Sequence, residues 1–295
     1  MTITLSYINF WDGSDNDIYF TPFMKENFGN IKIVHFSENP DLLISSVFGN
    51  IDKIKSIKAK CKMFYYGENL NYFPQYNNDC ILNETFDIIV GFKKTDYSKK
   101  QIRFPLWLLY HGYYKWDDNN NILSYIQSKY NENINKEKTL FATLVASHDN
   151  GGQRTVIADE VQKYGKIMYP GLFRKNTSVF KICNDKINYV SKGLFNICPE
   201  NSLYEGYFTE KIFQAFEAGT IPIYWAINNP EPNIINKNKY CFCNIENEDI
   251  LSENIKDVVE NRQKYIDGDL FTPDAKKEIQ QFYSSLKQII ESHII

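Results

Sequence analysis

The stretch Phe195-Asn-Ile-Cys-Pro-Glu-Asn-Ser-Leu-Tyr-Glu-Gly-Tyr-Phe-Thr-Glu-Lys-Ile-Phe-Gln-Ala-Phe-Glu-Ala-Gly-Thr-Ile-Pro-Ile-Tyr-Trp225 decides how the rest of this chain is read. Phe195 to Cys198 has the pattern of a short strand. A polar, aromatic loop follows, as far as Tyr207. Glu210 to Ala218 then reads as a helix stopped by Gly219, and Ile221 to Trp225 as the next strand. A helix that begins beyond a strand presents unpaired N–H groups and the positive end of its dipole, which suits phosphate. Thr209 is placed to cap that helix. Lys211 puts a cation in the first turn, where the dipole disfavours it by about 0.3–1 kcal/mol. It therefore needs a compensating anion or free solvation.

The same alternation extends outward. Leu140 to Ala146 reads as a strand, Ser147 to Arg154 as a loop and Val156 to Tyr164 as a helix, with Ile157, Val161 and Tyr164 on one face. Further helices are expected at Ile255 to Tyr265 and Ala275 to Ile290, the latter with Ile279, Phe282, Leu286 and Ile289 or Ile290 on one face. In the first half, Ile3 to Ile8, Ile31 to His35, Leu43 to Phe48, Lys62 to Tyr66 and Asp87 to Phe92 read as short buried strands. Thr21 to Phe28 reads as a helix capped by Thr21. The polar, Asn-rich run from Lys115 to Lys138 reads as a helical connector. Two α/β halves place their ligand beyond the carboxyl ends of the strands, at the loops 147–154 and 199–206.

Composition narrows the function. The 295 residues suffice for two cores. A net charge of −3 provides no bulk field for nucleic acid. Aromatics reach 16%, with 21 Tyr, 21 Phe and 4 Trp; most should be core, while those in a cleft suit sugar rings. Six cysteines without a CxxC pair point to reduced, mostly buried thiols. No basic leader with an apolar run and no 18-residue apolar stretch is visible, so the expectation is a cytoplasmic protein with at most peripheral contact with the inner membrane. Asp15-Asn-Asp17 matches a pattern that holds a divalent metal elsewhere, but such triplets are common in polar turns. His35, His111, His148 and His293 show no metal-ligand spacing.

The 195–225 run closely resembles the donor-binding motif of the α1,3/α1,4-fucosyltransferases, including bacterial enzymes that make Lewis-type antigens: Phe-Asn, Glu-Asn, Gly-Tyr-Phe-Thr-Glu-Lys-Ile, then Thr-Ile-Pro-Ile-Tyr-Trp. Many members continue with Gly where this chain has Ala226. Further blocks resemble the family in order: Asn9-Phe-Trp11, Val47-Phe-Gly-Asn50, Phe64-Tyr-Tyr-Gly-Glu-Asn69, Phe86-Asp-Ile-Ile-Val-Gly-Phe92, Ile102-Arg-Phe-Pro-Leu106, and Val145-Ala-Ser147 with Arg154. The resemblance implies a GT-B architecture: two Rossmann-like α/β domains facing a central cleft. Residues 1–125 would bind acceptor and 126–273 GDP-fucose, with 274–295 as a helix docking across both.

It further implies an inverting transfer of L-fucose from GDP-β-L-fucose to a GlcNAc or glucose hydroxyl, of the α1,3 type. N-acetyllactosamine or a lipopolysaccharide glycan would be the acceptor. No cofactor would be required, and a divalent metal would at most stimulate. The implied roles place Glu68 as general base. Arg154 and Lys211 would contact the diphosphate, Asn201 and Tyr207 would line the same site, Glu210 would hold ribose hydroxyls and Ser147 would touch phosphate. Each residue also has a plainer reading: Tyr207 as core, Glu210 as a helix-start carboxylate, Arg154 and Lys211 as solvated cations, Glu68 as half of a surface ion pair. Two other functions fit less closely. One is a GT-B transferase using another nucleotide sugar, and the other is a glycan-binding protein without turnover.

Overall fold

The computed structural model describes residues 2–11, 20–177 and 185–295. The Asp15–Asp17 triplet and Cys183 lie outside them. The chain divides into two compact units. One comprises Met1–Asn121, Tyr204–Tyr207 and Lys277–Ile295; the other comprises Ile122–Leu203 and Phe208–Lys276. The first division point thus falls at Asn121/Ile122 rather than 125/126, because the whole helix that follows packs as one body in the second unit.

The first unit holds a six-stranded parallel sheet. Its strands are β1 (Ile3–Ile8), β2 (Ile31–Ile33), β3 (Leu42–Ser45), β4 (Cys61–Tyr65), β5 (Ile88–Gly91) and β6 (Gln101–Arg103), in the order β2-β1-β3-β4-β5-β6. The inner strands are apolar on both faces, as a covered parallel sheet requires; all four residues of β3 are buried. The edge strand β2 departs from the expectation of a buried strand: Lys32 and Ile33 are exposed. Connecting helices are α1 (Thr21–Phe28), α2 (Ile51–Ser56), α3 (Asp79–Thr85) and α4 (Leu106–Tyr110). Asn50 and Asn78 cap α2 and α3, accepting from Asp52 N and Ile81 N. Thr21 does not cap α1. It is buried, and its hydroxyl pairs with that of Tyr7 at 3.0 Å.

The aromatic excess is largely core here. Phe64 stacks on Tyr76 at 4.9 Å and on Phe86 at 5.0 Å. The terminal helix, Ala275–Ile294, buries Ile279, Phe282, Leu286 and Ile290. Its Tyr283 hydroxyl donates to Tyr113 O at 2.8 Å.

The second unit begins with α5 (Ile122–Ile134) and continues with β7 (Leu140–Leu144), α6 (Gln153–Gln162), β8 (Ile167–Met168), α7 (Asp185–Val190), β9 (Gly193–Ile197), α8 (Lys211–Glu217), β10 (Ile221–Tyr224), β11 (Cys241–Phe242), α9 (Glu248–Glu260) and α10 (Arg262–Ile266). Its five parallel strands lie in the order β11-β10-β9-β7-β8. The expected single helix over 255–265 is two helices, divided at Asn261, whose N–H returns to Asp257 O. Leu251, Ile255 and Val258 turn one face of α9 into the core beside Phe195, Ile197 and Ile223. Each such side chain, fully buried, contributes about 1.5–3 kcal/mol. Ile157 and Val161 of α6 are buried as expected. Tyr164 is not, because α6 ends before it and leaves it 37% exposed. One cation ties three chain reversals together: Lys138 Nζ donates to the carbonyls of Asn133, Ser191 and Gly219 at 2.7–3.0 Å.

In this strand order the direction of winding reverses between β7 and β9. In open α/β sheets a crevice forms at such a point, outside the carboxyl ends of the two strands.

Candidate functional site

The loop after β7 turns into α6 at Gly152, which has φ +76°, a region only glycine enters readily. Asp149 supplies the cap: its carboxylate accepts from Arg154 N at 3.0 Å and Thr155 N at 2.8 Å. The first turn of α6 then grips the loop after β9. Gln153 Nε2 donates to the carbonyls of Glu200 and Asn201 at 3.0 and 3.1 Å. Arg154 is 5% exposed; its guanidinium donates to His148 O at 2.6 Å and to Asn201 Oδ1 at 2.7 Å. Two residues 47 positions apart, singled out separately from the sequence, are thus hydrogen-bonded.

Glu200 is the hub of the second loop. It is fully buried, and its carboxylate accepts from Thr209 N at 2.8 Å, the Thr209 hydroxyl at 2.8 and 3.0 Å, the Tyr224 hydroxyl at 2.7 Å and Lys211 Nζ at 2.8 Å. This corrects the reading of Thr209. Its hydroxyl does not cap α8 but bridges Lys211 and Glu200, accepting from Lys211 Nζ at 2.8 Å. Glu200 is also the anion that the first-turn lysine required. Burial, and then the charge of Glu200, raises Tyr224 well above the usual phenol range, so Tyr224 stays a donor. Glu210 occupies the N-cap position of α8. Burial alone would raise its carboxyl, but Lys211, Lys186 and local hydrogen bonds outweigh that and hold it below the ordinary value.

Between these loops lies a small cavity, of about 40 Å³, at the ends of β7 and β9. Its lining includes Val145, Asn196 and Cys198, and the charged side chains that face it are Arg154, Lys186 and Lys211. Burial, followed by Glu200, pushes the Cys198 thiol far up, so it is no nucleophile. Asn201 borders the cavity through Arg154. Ser147 is exposed on the β7 loop and is not part of the lining. Tyr207 belongs to the first unit, where it is 3% exposed with its ring edge-on to Phe92 at 4.9 Å.

In the first unit, Glu68 follows β4 and is half-buried. Trp11, beyond β1, donates its indole N–H to Glu68 Oε1 at 3.0 Å. Gly67 is required for that contact, since a Cβ there would lie 2.8 Å from the Trp11 ring. Phe48, 43% exposed, stands 5.4 Å from Trp11 and 5.5 Å from Phe73.

Two family models match in tandem. One is described as the "Alpha-(1,3)-fucosyltransferase FucT N-terminal domain" and matches residues 5–110; the other, "Glycosyltransferase family 10 (fucosyltransferase) C-term", matches residues 134–267. The chain belongs to the fucosyltransferase family. An alpha-(1,3)-fucosyltransferase of Helicobacter pylori is 30% identical to this family member over 216 residues, which cover 64% of this chain and 42% of that relative's length. Among solved structures, a crystal structure of an alpha1,3-fucosyltransferase superposes with a TM-score of 0.69 at 22% identity, covering 98% of this chain and 92% of the other. One with GDP-fucose gives 0.66 at 23%, covering 98% and 90%. A sucrose-phosphate synthase of Thermosynechococcus elongatus reaches 0.51 at 11%, covering 86% and 70%. These likenesses establish the GT-B fold of two Rossmann-like units for this fucosyltransferase-family chain.

Three site residues escape a sequence reading. Glu200 stands inside the 195–225 motif, and its clue is the cation at Lys211, which needs an anion. Gln153 and Lys186 carry no local signal; only the fold sets Gln153 on the loop after β9 and Lys186 against the cavity. Among the described residues, no group of three or more His, Cys, Asp or Glu could hold a metal ion. No described helix is long and apolar enough to cross a membrane.

Proposed function

We propose that this chain moves L-fucose from GDP-β-L-fucose to a hydroxyl of a GlcNAc or glucose residue in a glycan, with inversion and α1,3 linkage. The observation that carries the reading is the cation-lined cavity at the winding reversal of the second unit, built by the segment that carries the family motif. Known relatives act on the same donor class: one solved structure is an alpha1,3-fucosyltransferase with GDP-fucose and another is one with GDP.

In the proposed mechanism the fucosyl carbon develops positive character as GDP departs. Arg154 and Lys211 stabilise the growing negative charge on the diphosphate, held in place beforehand by Asn201 and Glu200. Glu210 holds hydroxyls of the donor, and Ser147 approaches the phosphates. Tyr207 supports the loop from its seat on Phe92. Glu68 takes the proton of the acceptor hydroxyl as that oxygen attacks from the opposite face, so one displacement yields an α-fucoside. The Trp11 N–H holds the Glu68 carboxylate in one orientation by donating to its Oε1. No metal is needed for this charge balance.

The test is incubation of the chain, in EDTA, with GDP-fucose, GDP-mannose or UDP-sugars and a panel of type 1 and type 2 acceptors, with the product linkage read by NMR. An α1,3-fucosylated product from GDP-fucose alone is expected. Turnover confined to another donor, or none with any donor, would refute the proposal.

A further inference from the structure

We propose that Lys186 is a third diphosphate-binding cation of the donor pocket, acting beside Arg154 and Lys211. This rests on the reading of that cavity as a nucleotide-sugar site. Lys186 is the second residue of α7, far from the motif segment, yet its side chain lines the same cavity at the ends of β7 and β9. Its ammonium donates to Gln214 Oε1 on α8 at 2.6 Å. An ammonium has three N–H groups, so this bond leaves two for a ligand. Gln214 is neutral and does nothing to cancel the charge.

The charge balance makes Lys186 decisive. Arg154 and Lys211 line the pocket, but two carboxylates oppose them: Glu200 is paired with Lys211, and Glu210 lies within electrostatic reach of both lysines. Asp149, whose carboxylate accepts from Arg154 N, adds a third negative charge. Lys186 is the third cation that offsets it, and it lines the cavity itself, where it attracts a polyanion into a half-buried site. Burial, offset in part by Glu210 and reinforced by Lys211, lowers the Lys186 ammonium from its ordinary value. A bound phosphate would relieve that penalty. As the bond to the sugar breaks, the terminal phosphate gains a negative charge, and a cation already in position stabilises it without rearrangement.

The experiment is isothermal titration of the full chain with GDP, GMP and guanosine, for the wild type, Lys186→Met, Lys186→Arg and Gln214→Met. Losing one charged contact should weaken GDP binding about 10- to 100-fold in Lys186→Met. Guanosine, which has no phosphate, should bind equally to all four proteins. Lys186→Arg should restore most of the GDP affinity, and Gln214→Met should stay within about threefold of the wild type, because the cation remains. If Lys186→Met does not fold, as judged by circular dichroism, Lys186→Gln replaces it with the same expectation. Wild-type GDP affinity in a folded Lys186 variant would overturn the proposal and leave the nucleotide reading standing. Equal loss of GDP affinity in the Lys186 and Gln214 variants would also overturn it, making Lys186 a strut. A wild type that binds no GDP would sink the nucleotide reading itself.

Discussion

Glu200→Gln tests the architecture of the pocket most directly. The carboxylate is fully buried and takes hydrogen bonds from a backbone amide, two hydroxyls and an ammonium. Glutamine keeps the shape but supplies one acceptor oxygen and an NH₂ group. That NH₂ must face groups that are themselves donors, and Lys211 loses its buried counter-charge. Breaking a buried ion pair from one side costs about 3–5 kcal/mol. For a chain of this size that corresponds to a fall of about 5–10 °C in Tm. The assay is urea unfolding followed by circular dichroism, run beside Lys211→Met and the double variant. Lys211→Met leaves Glu200 buried and unpaired, so it should be destabilised to a similar degree. The double variant removes both charges and should be more stable than the sum of the single losses by more than about 1 kcal/mol. A Glu200→Gln protein as stable as the wild type, or strict additivity in the double variant, would refute the claim that Glu200 is the charge partner that holds Lys211.

Three further outcomes are expected. Glu68→Gln should lower turnover about 10²- to 10⁴-fold while the GDP Kd stays unchanged, as read by steady-state kinetics beside calorimetry. Arg154→Ala removes a pocket cation and the link to Asn201, so kcat/KM should fall by the equivalent of about 2–4 kcal/mol; unchanged kinetics would place the donor elsewhere. Hydrogen bonds from Tyr265, then Lys264 and Asn261, lower the Asp257 carboxyl to about 2, below its unfolded value near 3.8. A depressed carboxyl contributes stability that is full above the unfolded value and is lost as pH falls toward about 2. Urea titrations of wild type and Asp257→Asn should therefore differ at pH 6 and converge as pH falls from 4 to 2; a gap that persisted at pH 2 would contradict this.

Much of this protein was legible along the chain because the signals are local. The alternation of apolar strands with amphipathic helices announced the α/β layers. The face Ile279, Phe282, Leu286 and Ile290 was visible from its spacing alone and is buried in the terminal helix. The motif segment marked the loops beside the cavity, and Lys211 in a first turn signalled a missing anion. Other features were not local. A hydroxyl at Thr209 looks like a cap, but a buried carboxylate nine residues earlier competes for it and wins because a charged acceptor binds a hydroxyl more strongly than a backbone amide does. Tyr207 looks like part of a polar loop until its ring is set against Phe92.

By itself, then, the order of residues determined the secondary elements, the parallel layers and the segment that carries the chemistry, since helix and strand periodicity and end signals act within a few residues. The tertiary structure alone decided which side chains converge. The order β8-β7-β9 sets the ends of β7 and β9 side by side, and that juxtaposition makes the crevice. Packing of α7 against α8 brings Lys186 to the same cavity as Arg154 and Lys211. Their attraction for an anion depends on distances across three crossover connections, which no local pattern encodes.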